Sequence, residues 1–468
     1  METVVRERRG AGERGDTVAS CLSTYAWNLR YSDLSSHSIH SAKRHLTDWL
    51  GCALGAWEAE PPRIARSMAE PVHMPSGVTV LGTSHRTSPD LAAFVNGLAS
   101  RYLDYNDTYL SKEPCHPSDT FAAVLATAEL ADGRGQDVIL GGVLAYEVLC
   151  RLCDAASLRA RGWDHVTYVA IAAALGAGKA LGLSQEQLYE ALSLATIPNV
   201  AMREARTGAL SMWKAGATAN AARNGVFAAW LASRGFTGAP RPFEGPMGFL
   251  RQVSGEIQLD NFGGDGTPFM IERCILKPYP AEIHSQAAIE AALELQPRLT
   301  STDAIEHIVI ETYDAAVDII ADAEKWHPTT RETADHSLPY IVAAALVDGT
   351  IGPEQFSPER IADPKLRELM ARTEVRRRDD FSRQYPQALP VSIEVQLRGG
   401  EQLGATVIYP HGHPKRPLSD DEVTAKFRRQ AEQRLSHERA DRILDQLWRL
   451  EDVPDISELL ALFEVQPH

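Results

Sequence analysis

The chain has 468 residues, 44% of them hydrophobic and 23% charged, the composition of a globular protein with room for two or three cores. Its 47 Lys and Arg against 62 Asp and Glu give a net charge of −15, which argues against a nonspecific nucleic-acid binder and against adhesion to anionic membranes. No apolar run reaches the length of a membrane span, no secretory hydrophobic segment opens the chain, and the scattered cysteines fit a reducing cytoplasm.

Residues 1–16 are charged and Gly-rich and are expected to form a disordered extension. From Thr17 to Trp57 the pattern is helical, with Leu46, Trp49, Leu50 and Leu54 on one face. A short strand is expected at Val78–Leu81. Ser88-Pro89-Asp90 then starts a helix, in which Leu91, Phe94, Val95 and Leu98 recur at i, i+3, i+4 and i+7. Pro117 and Ser118 open the next helix, through Phe121, Val124, Leu125 and Ala128.

Between these helices lies Arg101–Asp119, R-Y-L-D-Y-N-D-T-Y-L-S-K-E-P-C-H-P-S-D, which has no amphipathic period. It gathers acids, hydroxyls, a lysine and a histidine, and it sets His116 beside a helix N-terminus, where free N–H groups favour an anion. The same composition also describes a plain surface loop with an Asx-turn and a capping serine.

Residues 138–153 read as a buried helix, Asp164 as a cap for a helix from His165, and Ser184 with Gln187 as a capping box. A loop carrying Arg203, Arg206 and Lys214 precedes Ala215–Ala232, whose small residues suit close helix packing. The periodicity changes after N-F-G-G-D-G-T-P at 261–268. Strand-like C-I-L-K-P-Y-P, a helix at Ala281–Leu295, a strand at Ile305–Tyr313 and a helix at Ser337–Val347 follow. Val391, Ile393, Val395 and Leu397 alternate with polar residues, and Gly399-Gly400 turns that strand into Leu403–Tyr409. Helical periodicity returns with the Ser419…Glu422 capping box, so an α/β segment at about 271–409 interrupts an otherwise helical chain.

Other candidate motifs read as structure. Gly263-Gly264-Asp265-Gly266 is not followed by a βαβ helix start, so it reads as a hinge and not a phosphate cradle. Cys150 and Cys153, with Cys115 upstream, superficially match an iron–sulfur set, but the pair sits in an apolar helix where small buried cysteines are common. His411-Gly-His413 lies between two prolines in a turn and makes a poor metal seed. Taken singly, His165 and His284 at helix starts are more often structural than catalytic.

L-D-Y-N-D-T-Y-L-S-K-E-P-C-H-P-S-D resembles the signature loop of the MmgE/PrpD family, which includes 2-methylcitrate dehydratase and cis-aconitate decarboxylase. A-Y-E-V-L-C-R-L-C (145–153), L-S-M-W-K (210–214), K-P-Y-P-A-E-I-H (277–284) and R-E-T-A-D-H-S-L-P-Y (331–340) agree with it, and the resemblance covers about residues 17 to 430. It implies a mainly α fold: a helical domain built from 17–270 and 410–468, with an inserted α/β lid at 271–409. It further implies a cytoplasmic homodimer acting on a small tricarboxylate without metal or organic cofactor. Matched position by position, the family's pocket falls on Asp104, Thr108, His116, His165, Lys214, His284 and Tyr340, and more weakly on Arg203, Arg206 and Lys277. Two positions depart from the pattern: Cys115 stands where Gly or Ala is frequent, and Thr120 where Asn is.

Dehydrating a 3-hydroxy tricarboxylate requires a base for the proton alpha to a carboxylate and an acid for the leaving hydroxide. Cations must face the charge that gathers in between. In the set implied by the resemblance, His116 and His165 supply base and acid, in an order the residues leave open. Lys214 with Arg203 or Arg206 holds carboxylates, Tyr340 or His284 donates to the leaving oxygen, and Asp104 orients a histidine or lysine. Thr108 and Lys277 complete the substrate contacts. Crowded by Arg203 and Arg206, Lys214 is expected to be dispensable for folding. The spacing from Thr108 to His116 has the family's longer, dehydratase-like form. The resemblance therefore implies dehydration of 2-methylcitrate and citrate. A cis-aconitate-type decarboxylase or an epimerase is the alternative, and a non-catalytic carboxylate-binding protein is the alternative of another class.

Overall fold

The structure is a computed structural model, and it describes residues 15–465. The extension expected at 1–16 lies outside the described residues except for Gly15 and Asp16. Asp16 is not part of a disordered tail: it is buried, its carboxylate caps the first helix through the Ala19 N–H, and it also accepts from the N–H groups of Phe243 and Glu244.

The body is built from α1 (Thr17–Asn28), α2 (Ser36–Gly55), α3 (Glu60–Ala69), α4 (Pro89–Tyr102), α5 (Phe121–Leu130), α6 (Gly135–Ala155), α7 (Val166–Ala180), α8 (Gln185–Thr196) and α9 (Trp213–Ser233). A two-residue hairpin, β1 (Val78–Thr79) and β2 (Arg86–Thr87), precedes α4. At the centre runs α7, V-T-Y-V-A-I-A-A-A-L-G-A-G-K-A, buried on nearly every side as a helix without a polar face must be. Its neighbours come close because its residues are small. A Cβ on Gly176 would stand 2.9 Å from the Gly141 carbonyl of α6, and one on Gly225 of α9 would meet Ala173 at 2.6 Å. The helix Asp420–Ala431 returns to α2, setting Phe427 against Gly51. Lys426 there is fully buried, donating to the carbonyls of Tyr105 (2.7 Å) and Lys277 (2.8 Å) and pairing with Asp48.

The second half of the chain has its own hydrophobic core, from Ile275 to Ala405. It is a mixed sheet of β3 (Ile305–Thr312), β4 (Thr373–Arg377), β5 (Val391–Leu397) and β6 (Gln402–Val407) in the order β4-β3-β5-β6, with β4 parallel to β3 and the other pairs antiparallel. Ile308 pairs with Val395 and Ile310 with Ile393, so alternation places the aliphatic side chains of both strands on one face. α10 (Gln286–Leu295) packs against β5, β6 and the helix Leu338–Asp348. The described residues are thus mostly helical, with one four-stranded mixed sheet and one short two-stranded hairpin.

Two elements differ from the sequence reading. Residues 274–280 do not form a strand, because Pro278 and Pro280 lack donors and the pairing is one bridge: Thr108 N–H to the Ile275 carbonyl (2.9 Å) and Ile275 N–H to the Thr108 carbonyl (2.7 Å). β4, T-E-V-R-R, went unread because an exposed edge strand carries charge instead of an apolar alternation.

Lys426→Met leaves Asp48 buried without its cation and two carbonyls without a donor. The expected loss is about 3–5 kcal/mol, read from urea unfolding. Arg449→Met, which breaks an exposed pair with Asp445, should leave the midpoint where it was.

Candidate active site

α4 ends at Tyr102, and Asp104 adopts a φ of 50°, which turns the chain sharply out of the helix into the polar loop. That turn puts the Asp104 carboxylate in the interior, where four elements bring donors to it. Arg101 Nη1 lies at 2.9 Å, Lys277 Nζ at 2.6 Å, Lys214 Nζ at 2.9 Å and His336 Nε2 at 3.5 Å. Lys277 also donates to the Asp104 carbonyl. Burial alone would raise the Asp104 carboxyl, but the Arg101, Lys214 and Lys277 cations outweigh it and hold the group well below the carboxylate range.

Asp335 extends this cluster, with Oδ1 at 3.2 Å from Lys214 Nζ and 2.6 Å from His336 Nδ1. Among the described residues, Asp104, Asp335 and His336 form a group close enough to share a metal ion. Lys214 Nζ already stands among them, 3.1 Å from His336 Nδ1, as the cation of that position. This reverses the expectation for Lys214: two buried carboxylates hold it, and Arg203 and Arg206 do not crowd it.

His116 and His165 meet edge to face, ring centroids 5.7 Å apart, yet their surroundings differ. His116 Nδ1 lies 2.7 Å from the Asp107 carbonyl, which only accepts, so Nδ1 carries the proton; Thr108 Oγ1 stands at 3.2 Å from the same nitrogen. Nε2 then receives an Arg101 N–H at 2.9 Å. Burial pushes this imidazole well below its ordinary value, and the Arg101 and Lys277 cations push it further. His116 is therefore neutral with both nitrogens engaged, which is not the arrangement of a free base.

His165 has the open nitrogen. Its Nδ1 lies 2.9 Å from Asp164 Oδ1, and Arg206 Nε holds Asp164 Oδ2 at 2.9 Å. Asp164 stays ionised: burial would raise it, but Arg206 and His165 draw it below the carboxylate range. In the neutral ring Nδ1 donates to that carboxylate and Nε2 holds the lone pair; Nε2 is buried and has no hydrogen-bond partner. A carboxylate orients the imidazole on one side and leaves the other side free, as a general base requires. Arg206 Nε positions this pair while its Nη2 is buried without a hydrogen-bond partner, and Asp164 is more than a helix cap.

His284 lies beyond Glu282, its Nε2 3.8 Å from Glu282 Oε1 and its Nδ1 2.6 Å from the Tyr313 hydroxyl at the end of β3. Burial pushes His284 down to about 3, while it holds the Tyr313 phenol far above its ordinary value. The phenol therefore donates to Nδ1, leaving Nε2–H as a neutral donor. Tyr340 does not join the site: it is buried beside Phe356 in the second core and its hydroxyl donates to the Gln355 carbonyl. Arg203 instead lines a cavity of about 530 Å³ with Arg159, Tyr313 and Tyr385, which reaches His284 through the two tyrosine rings.

The structure thus brings together Asp104, Thr108, His116, His165, Lys214 and Lys277, places His284 beside them, and leaves Arg203 at the mouth of the adjoining cavity. Sequence reasoning missed Arg101, Asp164, Tyr313, Asp335 and His336 as members. Asp335 and His336 stand inside R-E-T-A-D-H-S-L-P-Y, and Asp164 directly precedes a selected histidine, so a signal was there. Two further buried carboxyls, Asp119 and Glu282, are each pushed up to about 7 by burial. They titrate near neutrality within the same polar cluster.

Lys214→Met takes one of three cations from Asp104, which keeps Arg101 and Lys277, and leaves Asp335 with His336 alone, so calorimetry should show a lower Tm and a stability loss of about 1–3 kcal/mol. An unchanged Tm would mean these carboxylates do not depend on it. His284 offers a pH test. Its folded value is depressed from 6.5 to about 3, so the stability of its neutral form is complete above 6.5 and is lost as pH falls toward 3. Imidazole NMR signals should show His284 still unprotonated at pH 5.

The chain matches the MmgE/PrpD N-terminal domain over residues 20–261 and the MmgE/PrpD C-terminal domain over 279–450. It is 29% identical to 2-methylcitrate dehydratase of Escherichia coli K12, over 93% of this chain and 95% of the relative. It is equally 29% identical to 2-methylcitrate dehydratase of Cupriavidus necator, over 97% and 99%. With the mitochondrial 2-methylcitrate dehydratase of Yarrowia lipolytica it shares 29% over 92% and 86%. With both domains matched in order along most of its length, this chain belongs to the MmgE/PrpD family.

Proposed function

We propose that the protein is a cofactor-independent dehydratase of a small hydroxylated tricarboxylate, with 2-methylcitrate the first substrate and citrate a second. The observation that carries this is the Asp164–His165 pair, whose ring, with an unpartnered Nε2, packs on His116, and His116 in turn contacts a buried cluster of three cations and two carboxylates through Arg101. His165 takes the proton alpha to a carboxylate, and the surplus positive charge of Arg101, Lys214 and Lys277 faces the electron density that develops there. The neutral Nε2–H of His284, set by Tyr313, hydrogen-bonds to the departing hydroxyl, and the buried Glu282 carboxyl, pushed up to about 7 and 3.8 Å from that nitrogen, supplies the proton with which it leaves as water. His116 and Thr108 shape the pocket, and Arg203 with Arg159 receives a distal carboxylate. The names and full-length coverage of the relatives support the substrate.

The 271–409 segment is proposed to act as the lid. The Gly-rich 261–268 stretch is anchored on both sides: Gly263 N–H near its start and Met270 N–H just past its end both donate to Glu147 at 2.7 Å, and Phe262 stacks on Tyr25. A homodimer in the cytoplasm completes the reading. Exposed apolar side chains gather on α9 and the loop before it, including Met202 (70% exposed) and Trp213 (51%), a pattern that suits a second copy.

The test is NMR analysis of 2-methylcitrate, citrate and cis-aconitate incubated with the pure protein. Loss of water from 2-methylcitrate is expected, and His165→Gln should lower kcat on the order of a hundredfold to ten-thousandfold while binding persists. Carbon dioxide from cis-aconitate without any dehydration would move the assignment to a decarboxylase. Tricarboxylates that bind and remain unchanged would make the protein a carboxylate-binding protein.

A further inference from the structure

Just after Asp104, the polar loop buries a second carboxylate that the chemistry above does not use. Asp107 is fully buried. Its Oδ1 accepts from the Ser118 N–H at 3.0 Å, and its Oδ2 accepts from the hydroxyl of Tyr146 on α6 at 2.7 Å. His45 of α2 brings Nδ1 to 3.0 Å from the same Oδ2, its ring edge to face with Tyr146. Asn106 doubles the tie, its Nδ2 donating to Ser118 Oγ at 3.0 Å and to Asp119 Oδ1 at 2.9 Å. The 106–107 end of the loop is thereby fastened to the 118–119 end, and both are fastened to two helices of the body. His116 lies between those ends, and its Nδ1–H goes to the backbone carbonyl of Asp107 itself at 2.7 Å.

We propose that Asp107 is the positioning residue of His116: its carboxylate, held by His45, Tyr146 and Ser118, fixes the carbonyl that receives the His116 Nδ1–H. Burial alone would raise the Asp107 carboxyl, but His45 and the Ser118 donor outweigh it and keep it below its ordinary value, so both oxygens stay acceptors. With Nδ1–H held, Nε2 faces Arg101 at 2.9 Å, and Arg101 reaches Asp104 at 2.9 Å. The same imidazole packs edge to face on His165. Through this one ring Asp107 bears on both the ion cluster and the base, since the partner on one imidazole nitrogen sets what the other can do.

Two other carboxylates pin the loop elsewhere. Asp154 accepts from the Tyr109 hydroxyl at 2.7 Å and from Ser111, and Glu113 accepts from the N–H groups of Leu158 and Arg159 at 2.7 and 2.9 Å. They supply a control, because a purely structural role for Asp107 would make its loss resemble theirs. The inference rests on the reading of His116 as a pocket residue, and its geometry does not depend on the substrate.

The full-length protein, isotope-labelled in its histidine rings, is titrated by NMR, with His116 assigned from the signal that His116→Gln removes. In the wild type, burial and the Arg101 and Lys277 cations keep this ring neutral, so it should remain the Nδ1–H form at pH 5. Asp107→Ala frees the loop to admit water, and His116 should then titrate near the ordinary histidine value of about 6.5. Asp107→Asn keeps an acceptor for the Ser118 N–H and should restore the neutral ring at pH 5. Asp154→Ala should lower the Tm and leave the His116 signal where it was. A folded Asp107→Ala whose His116 is still the neutral Nδ1–H form at pH 5 would overturn the proposal, as would an Asp154→Ala that moves His116 equally. If Asp107→Ala does not fold, Tyr146→Phe, which removes the hydroxyl from Oδ2, stands in: His116 should shift the same way, and an unchanged ring would overturn the proposal. None of these readouts uses substrate, so failure to dehydrate 2-methylcitrate would refute the proposed reaction and leave them standing. Where 2-methylcitrate is turned over, the folded variant that shifts His116 should lower kcat by about tenfold to a hundredfold with KM less affected, and an unchanged kcat would count against the proposal.

Discussion

Everything around the site depends on one buried carboxylate. Asp104 is surrounded by Arg101, Lys214 and Lys277, which come from the end of α4, the start of α9 and the turn that leads into the second core. Charges this far from water are tolerated only as a paired set, because any member left alone carries an uncompensated desolvation cost. The set therefore fixes the mutual placement of three chain segments more strictly than apolar packing would. With Asp335 it holds three cations against two carboxylates, an excess of one positive charge. A protein with a net charge of −15 thus keeps a small cationic interior where an anionic substrate can be held.

Two histidines that look equivalent in sequence acquire different chemistry from their second nitrogens. His116 accepts from Arg101, which cannot give up its proton and so occupies the lone pair that a base would use. His165 pairs with Asp164 through Nδ1, and its Nε2 is buried without a hydrogen-bond partner. Environment, not residue type, divides the work between positioning and proton transfer. Arg206, a substrate contact in the sequence reading, also holds Asp164 ionised through Nε while its Nη2 stays unpartnered.

Much of the architecture was legible because hydrophobic period is a local signal. α4, α7, α9 and the β5–β6 hairpin all carry it along their own length. β4 was not legible, since its pairing with β3 depends on a distant partner and its own residues are mostly charged. In the site, the family resemblance pointed to six side chains that do converge, but it chose Tyr340 where Tyr313 makes the contact with His284. Both are buried tyrosines, and only the end of β3 beside His284 distinguishes them. Arg101 was missed for a similar reason. An arginine in the last turn of a helix reads as a cation that complements the helix dipole, and nothing local says that it turns inward.

The same ties limit how the site can open. Thr108 and Ile275 exchange two backbone hydrogen bonds, and Lys277 donates to both the carboxylate and the carbonyl of Asp104. Lys426 further pins the Lys277 carbonyl to the helix that packs on α2. A rigid movement of everything after Met270 would tear all of these at once and leave Asp104 short of a cation. That is the costly kind of rupture, with charges exposed to an apolar interior instead of to water. Movement that begins beyond Lys277 spares these ties but carries Asp335 away from Lys214 and His336 away from Asp104, so the second core is tied to the ion cluster as well. An opening that keeps the ion cluster shut is therefore confined to the cavity rim, where Tyr313 and Tyr385 face Arg203.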